Sequence, residues 1–165
     1  MRGIYLTGQG AVSAIVAWLS VKLGHLFAPL AILALMMVVD WITGMLASKA
    51  EAIQYPDDPN YGWSSKKGVL GILKKVAYVA VIVVAMSLDY ILIQSIEHAG
   101  VQVPTNVIFG LIVTIWFILN EMLSIIENCG RMGADVPEWL ARYVAVIKGR
   151  VDKQGEPDTE EPKDE

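Results

Sequence analysis

Three runs of about twenty predominantly apolar residues constrain this chain most, because a helix of that length crosses the hydrocarbon of a bilayer. They occupy residues 28–47, 76–96 and 107–126, and each holds one acid: Asp40, Asp89 and Glu121 in turn. A water-soluble core is written in short apolar periods, not in unbroken blocks of this kind. Composition agrees, with 55% of the 165 residues apolar and 18% charged, and a mean hydropathy of +0.49. A soluble enzyme is therefore not the expected reading, and the expected solvent is lipid.

The expected fold is an all-α integral membrane protein with three transmembrane helices, an N-terminal membrane-associated or spanning helix, and a C-terminal amphipathic helix. Residues 1–27 leave two readings open. Val12, Ile15, Val16, Leu19, Leu23 and Leu26 recur at helical spacing, while Ser13, Ala17, Ser20 and Gly24 form a small-residue face. That pattern suits a short packed span or a helix lying in the interface. A lone Arg2 and the lack of a cleavage site followed by a soluble domain do not fit a cleavable signal.

Orientation follows from the lysines. The basic loop 48–75 contains Lys49, Lys66, Lys67, Lys74 and Lys75, whereas the short loop 97–106 has no Lys or Arg. The positive-inside tendency places the first loop, and with it the C-terminus, in the cytoplasm, and makes 97–106 external. Residues 127–151 read as a cytoplasmic amphipathic helix, opened by Asp135, Pro137 and Glu138 after the breaks at Gly130 and Gly133. In that helix Trp139, Leu140, Tyr143, Val144 and Ile147 share a face, with Arg142 and Lys148 available to lipid phosphates, so it is expected to rest on the inner leaflet. The basic residues expected at the membrane surface are thus Lys66, Lys67, Lys74, Lys75, Arg142 and Lys148. The tail 152–165 carries seven acids and two lysines and reads as solvated and disordered. It accounts for the formal net charge of -4, leaving +1 on the rest, too little for a nucleic-acid partner.

The three acids are the sharpest chemical features, since a carboxylate near mid-bilayer costs about 2.5–3.5 kcal/mol on insertion scales. They should face protein or water. In the third block Gly110, Thr114, Phe117, Glu121, Ser124 and Asn128 fall at alternating four- and three-residue steps, which makes one helical stripe. Small and hydroxyl side chains on such a stripe suit a packing seam, and they equally suit the wall of a water-filled lumen in an assembly. His25, His98 and the single Cys129 are isolated, so no metal, cofactor or catalytic site is expected. The tryptophans suit interfacial anchoring.

Four strings resemble the toxin-secretion/phage-lysis holin family. They are Met37-Val38-Val39-Asp40-Trp41-Ile42-Thr43-Gly44; Ser64-Ser65-Lys66-Lys67-Gly68 followed by Gly71-Ile72-Leu73-Lys74-Lys75; Asn120-Glu121-Met122-Leu123-Ser124-Ile125-Ile126-Glu127-Asn128; and Gly133 with Val136-Pro137-Glu138. They cover residues 28 to about 147 in the family's order. The stretch from Tyr55 to Gly62 departs from the pattern as an insertion, and the N-terminal helix and acidic tail match no motif. The resemblance implies a phage-encoded homo-oligomer of the bacterial cytoplasmic membrane that permeabilises it, so that a peptidoglycan-degrading endolysin reaches the wall; some relatives are linked to toxin release. It implies no catalytic residue or cofactor, and its motif residues here include Asp40, Thr43, Gly44, Asn120, Glu121, Ser124, Glu127 and Asn128. The competing reading is a non-pore membrane component, either an antiholin-like regulator or a transporter or secretion subunit, whose acids only hold the bundle together.

Overall fold

The computed structural model describes residues 2–59, 61–99 and 109–154. Five α-helices follow in order: α1 Arg2–Leu23, α2 Phe27–Gln54, α3 Ser65–His98, α4 Phe109–Arg131 and α5 Glu138–Gln154, with a single 3-10 turn, Gly24–Leu26, between α1 and α2. Three helical runs are long and apolar enough to cross a membrane: Gly10–Gln54, Ser65–His98 and Phe109–Arg131. The protein is thus all-helical among the described residues and embedded in the membrane by several passes.

The helices outrun the apolar blocks because local signals set their ends. Where a basic loop was expected over 48–75, α2 runs on to Gln54 and α3 already begins at Ser65. α2 continues to a C-cap at Tyr55, ahead of Pro56, and α3 starts early because the Ser64 hydroxyl accepts the Lys67 N–H at 3.2 Å. Lys66, Lys67, Lys74 and Lys75 accordingly lie on the first turns of a helix. The acidic tail begins later than expected, since Asp152 still belongs to α5; residues 155–165, and most of the expected external loop 97–106, lie outside the described residues. α4 ends where Gly133 takes φ +88°, a conformation a side chain disfavours, and donates to the Gly130 carbonyl at 2.9 Å.

α4 is the centre of the bundle, packed against α2, α3 and α5. Shared partners set the directions. Glu51 meets Arg131 and Leu33 meets Phe117, so α2 and α4 run the same way. Lys75 meets Glu121 and Asp89 meets the start of α4, so α3 runs opposite to both. Each helix shows its neighbours a stripe at alternating three- and four-residue steps: Leu33, Met37, Asp40, Gly44 and Ala47 on α2, and Gly71, Lys75, Tyr78, Ile82, Ala85 and Asp89 on α3. On α4 the stripe is that of Gly110, Thr114, Phe117, Glu121, Ser124 and Asn128, all buried except the half-buried Ser124.

The apolar core is Leu33, Tyr78, Ile82 and Phe117, with Tyr78 and Phe117 stacked at 3.9 Å between ring centroids. Lipid is as apolar as leucine, so burial alone gives these helices little reason to associate. Close packing and polar contacts must hold them. The outer surface is correspondingly apolar, with Val69, Val76, Val83 and Leu88 of α3 more than 45% exposed. α1 packs only sparsely on α2, and its Val12, Ile15, Trp18 and Val21 are all exposed. Such a surface needs lipid or another apolar protein around it.

Candidate functional site

Two of the three acids meet. Lys75 from α3 reaches between α2 and α4, donating to Asp40 Oδ2 at 2.8 Å and to Glu121 Oε2 in a close ion pair. The Glu121 side chain is 1% exposed, Lys75 14% and Asp40 17%, so the trio is shielded from lipid on nearly every side. If all three are ionised, the cluster carries a formal charge of -1. Lys75 was expected at the membrane surface. Its place on the inner stripe of α3, one turn before Tyr78, instead makes it the counter-ion of the two acids.

The polar contacts continue toward one end of the bundle. The Asn128 amide donates to Asp40 Oδ1 at 3.2 Å and to Thr43 Oγ1 at 3.3 Å, while the Thr43 hydroxyl donates to the Asp40 carbonyl at 3.1 Å. Gly44 packs directly against this arrangement: a Cβ there would lie 3.4 Å from the Asn128 amide nitrogen, in ordinary contact with it. Arg131 donates to Asn128 Oδ1 at 3.0 Å and grips Glu51 with two bonds of 2.7 Å. A chain of side chains thus links the buried Glu121 to the half-exposed Arg131, passing through Lys75, Asp40 and Asn128. Beside it lies an open cavity of about 270 Å³, lined by Asp40, Lys75, Ser124, Asn128 and Arg131 and flanked by Trp41 and Trp63. Those two rings meet edge to face at 6.3 Å, and Trp63 lies so close over Gly68 that an added Cβ would come within 2.7 Å of it.

The third acid is elsewhere. Asp89 sits at the opposite end of α3, where its two oxygens accept the N–H groups of Phe109 at 2.9 Å and Gly110 at 2.7 Å. It caps α4, whose first amides have no partner within the helix and carry the positive end of its dipole. Among the described residues, no buried side-chain nitrogen or oxygen lacks a hydrogen-bond partner, so each acid is compensated inside one protomer.

Other expected site residues are dispersed. Thr114 bonds its own helix at Gly110 O, 2.6 Å away. Asn120 bonds the Tyr78 hydroxyl and accepts from Lys148 at 2.9 Å. Glu127 and Lys66 are exposed and outside the cluster. Lys67 donates to the Gly62 carbonyl at 3.2 Å, and Lys74 lies 5.6 Å from the centre of the Tyr78 ring. Arg142 faces outward beside Glu138 at 3.8 Å. Instead of standing clear of the bundle, α5 folds back along α4: Lys148 sits 4.7 Å from the Trp116 ring centre and the Trp116 indole donates to Asp152. Glu51, Arg131, Tyr78 and the Trp41–Trp63 pair escaped the sequence reading. The three-four stripe on α3, Gly68 through Asp89, was the signal that could have found Lys75 and Tyr78. Among the described residues, no three His, Cys, Asp or Glu side chains converge as metal ligands.

The chain belongs to the bacteriophage holin family, whose model matches residues 17–149. It is similar to uncharacterised proteins of Listeria monocytogenes, 33% identical over 81% of this chain and 79% of the relative, and of Halalkalibacterium halodurans, 29% identical over 73% of this chain and 78% of the relative. An uncharacterised 14.9 kDa protein from the nagH 3' region of Clostridium perfringens is 28% identical over 82% of this chain and 94% of its own length. No solved structure matches the chain.

Proposed function

We propose that the protein is a phage holin: it accumulates in the bacterial cytoplasmic membrane with its C-terminus in the cytoplasm, associates with further copies of itself, and opens the membrane to an endolysin. Membership of a family of membrane-permeabilising, non-enzymatic proteins supports this reading. The observation that carries it is the cluster of Asp40, Lys75 and Glu121, contributed by three different helices at membrane depth. Contacts made by side-chain tips are exchangeable. When crowding brings copies together, the same groups can re-pair between protomers or with water without unfolding a helix. The membrane potential acts on such charges, since moving one across 100 mV corresponds to about 2.3 kcal/mol.

One observation favours the non-pore reading, namely that the whole polar stripe of α4 is used inside a single protomer as a seam. Expression alone in bacteria separates the two. A holin abolishes the membrane potential and, with a leaderless endolysin, lyses the culture; a regulator or a transporter subunit does neither. Glu121→Gln is expected to shift the onset of lysis, and unchanged onset and extent would remove Glu121 from the mechanism.

A further inference from the structure

Apart from the exposed Lys74, the outer surface of α3 is largely apolar from Val69 to Leu92, about 35 Å at 1.5 Å per residue, which matches the hydrocarbon thickness. Its middle falls between Tyr78 and Ile82, the two residues packed on Phe117 of α4. Trp116 and Phe117 are therefore near mid-membrane. α5 reaches that depth, because Lys148 contacts Asn120 and Asp152 contacts Trp116.

One face of α5 is covered there, with Val144 only 3% exposed. The other face carries Arg142, whose side chain is 77% exposed, together with exposed Arg150. Lipid tails against that face would strip the water from Arg142 and Arg150, and the exposed Glu138, 3.8 Å from Arg142, is a poor counter-ion for them. The seat on α4 is thus suited to a helix bordered by water. α5 also has an alternative resting place. Trp139 and Tyr143 are 67% and 64% exposed, residues of the interfacial type beside basic ones, and the non-helical link with Gly133 at φ +88° joins α5 to α4.

We infer that α5 lies on the membrane surface in the dispersed protein and takes its seat along α4 when copies assemble, so that its outer face, with Arg142 and Arg150, forms the water-bordered wall of the opening. This assignment rests on the permeabilising role proposed above.

The test is cross-linking in living cells. Full-length protein carrying Asn120→Cys and Lys148→Cys in a Cys129→Ser background is treated with a short permeant bis-thiol reagent while a potential-sensitive dye reports depolarisation. The intramolecular cross-link is expected to be scarce beforehand and to rise about tenfold as the potential is lost. Adding Arg142→Leu and Arg150→Leu removes the need for water, so the cross-link should then form before depolarisation. Full cross-linking before depolarisation without those changes overturns the inference, as does its absence afterwards, or no effect of the leucines. Cells that never depolarise overturn the permeabilising role instead, and the dye tells the two failures apart.

Discussion

Asp89 and Glu121 are both acids buried at membrane depth, and they are satisfied in different ways. Asp89 accepts two backbone N–H groups at the start of α4, an arrangement that offers it fixed donors for as long as α3 and α4 stay docked. Glu121 depends on Lys75, a long side chain from another helix that also serves Asp40. A carboxylate held by backbone fixes the fold, whereas one held by a side-chain tip is free to change partners. The end of the bundle with Lys75 is therefore where a rearrangement can begin, and the Asp89 end is where the hairpin of α3 and α4 is held shut.

The largest effect is expected from removing the shared cation. Lys75→Met removes the cation bonded to both carboxylates, and breaking a buried pair in this way costs about 3–5 kcal/mol. Unfolding of the purified protein in detergent should show a loss of that size. Adding Asp40→Asn and Glu121→Gln should recover much of it, because the uncompensated charges cause the damage; failure to recover would mean that Lys75 acts through packing. Asp89→Asn comes next. An amide offers one acceptor where two N–H groups converge, leaving one unsatisfied at a cost of about 1–3 kcal/mol. It should lower stability while leaving the onset of permeabilisation, corrected for protein level, where it was. A changed onset would show that the capping end also moves.

A smaller effect is expected at Gly68. Its missing Cβ is what allows Trp63 to lie over α3 and meet Trp41, and an edge-to-face pair contributes about 0.5–1.5 kcal/mol. Gly68→Ala should swing Trp63 off the cavity, lose a contribution of that order, and red-shift tryptophan emission; unaltered emission would mean that the ring finds another seat.

Much of this was legible in the chain. The apolar blocks gave the spans, and the three-four spacing from Gly110 to Asn128 gave the buried face of α4, because both are written in one helix at a time. What remained hidden involves pairs. Lys74 and Lys75 look alike as adjacent basic residues, yet a rotation of 100° puts one over Tyr78 and the other between two acids. Arg131 and Glu51 are 80 positions apart, and only the shared direction of α2 and α4 joins them. The C-terminal helix shows the same limit: its amphipathic pattern says that one face is covered, and it does not say whether lipid or α4 covers it.

The smallest effect sharpens the comparison most. Arg131 ends the chain of contacts that starts at Glu121, and its ion pair with Glu51 is bidentate, but the Arg131 side chain is 43% exposed. Water screens such a pair, and exposed pairs contribute about 0.2–1 kcal/mol, less at high salt. Arg131→Gln should therefore lower stability within that range, and the difference from the parent protein should shrink in about 1 M salt. If instead it costs as much as Lys75→Met and salt leaves the loss unchanged, the contacts from Glu121 to Glu51 stand or fall together. The end of the bundle opposite Asp89 would then be one rigid unit, with no local exchange at Lys75 from which a rearrangement could start.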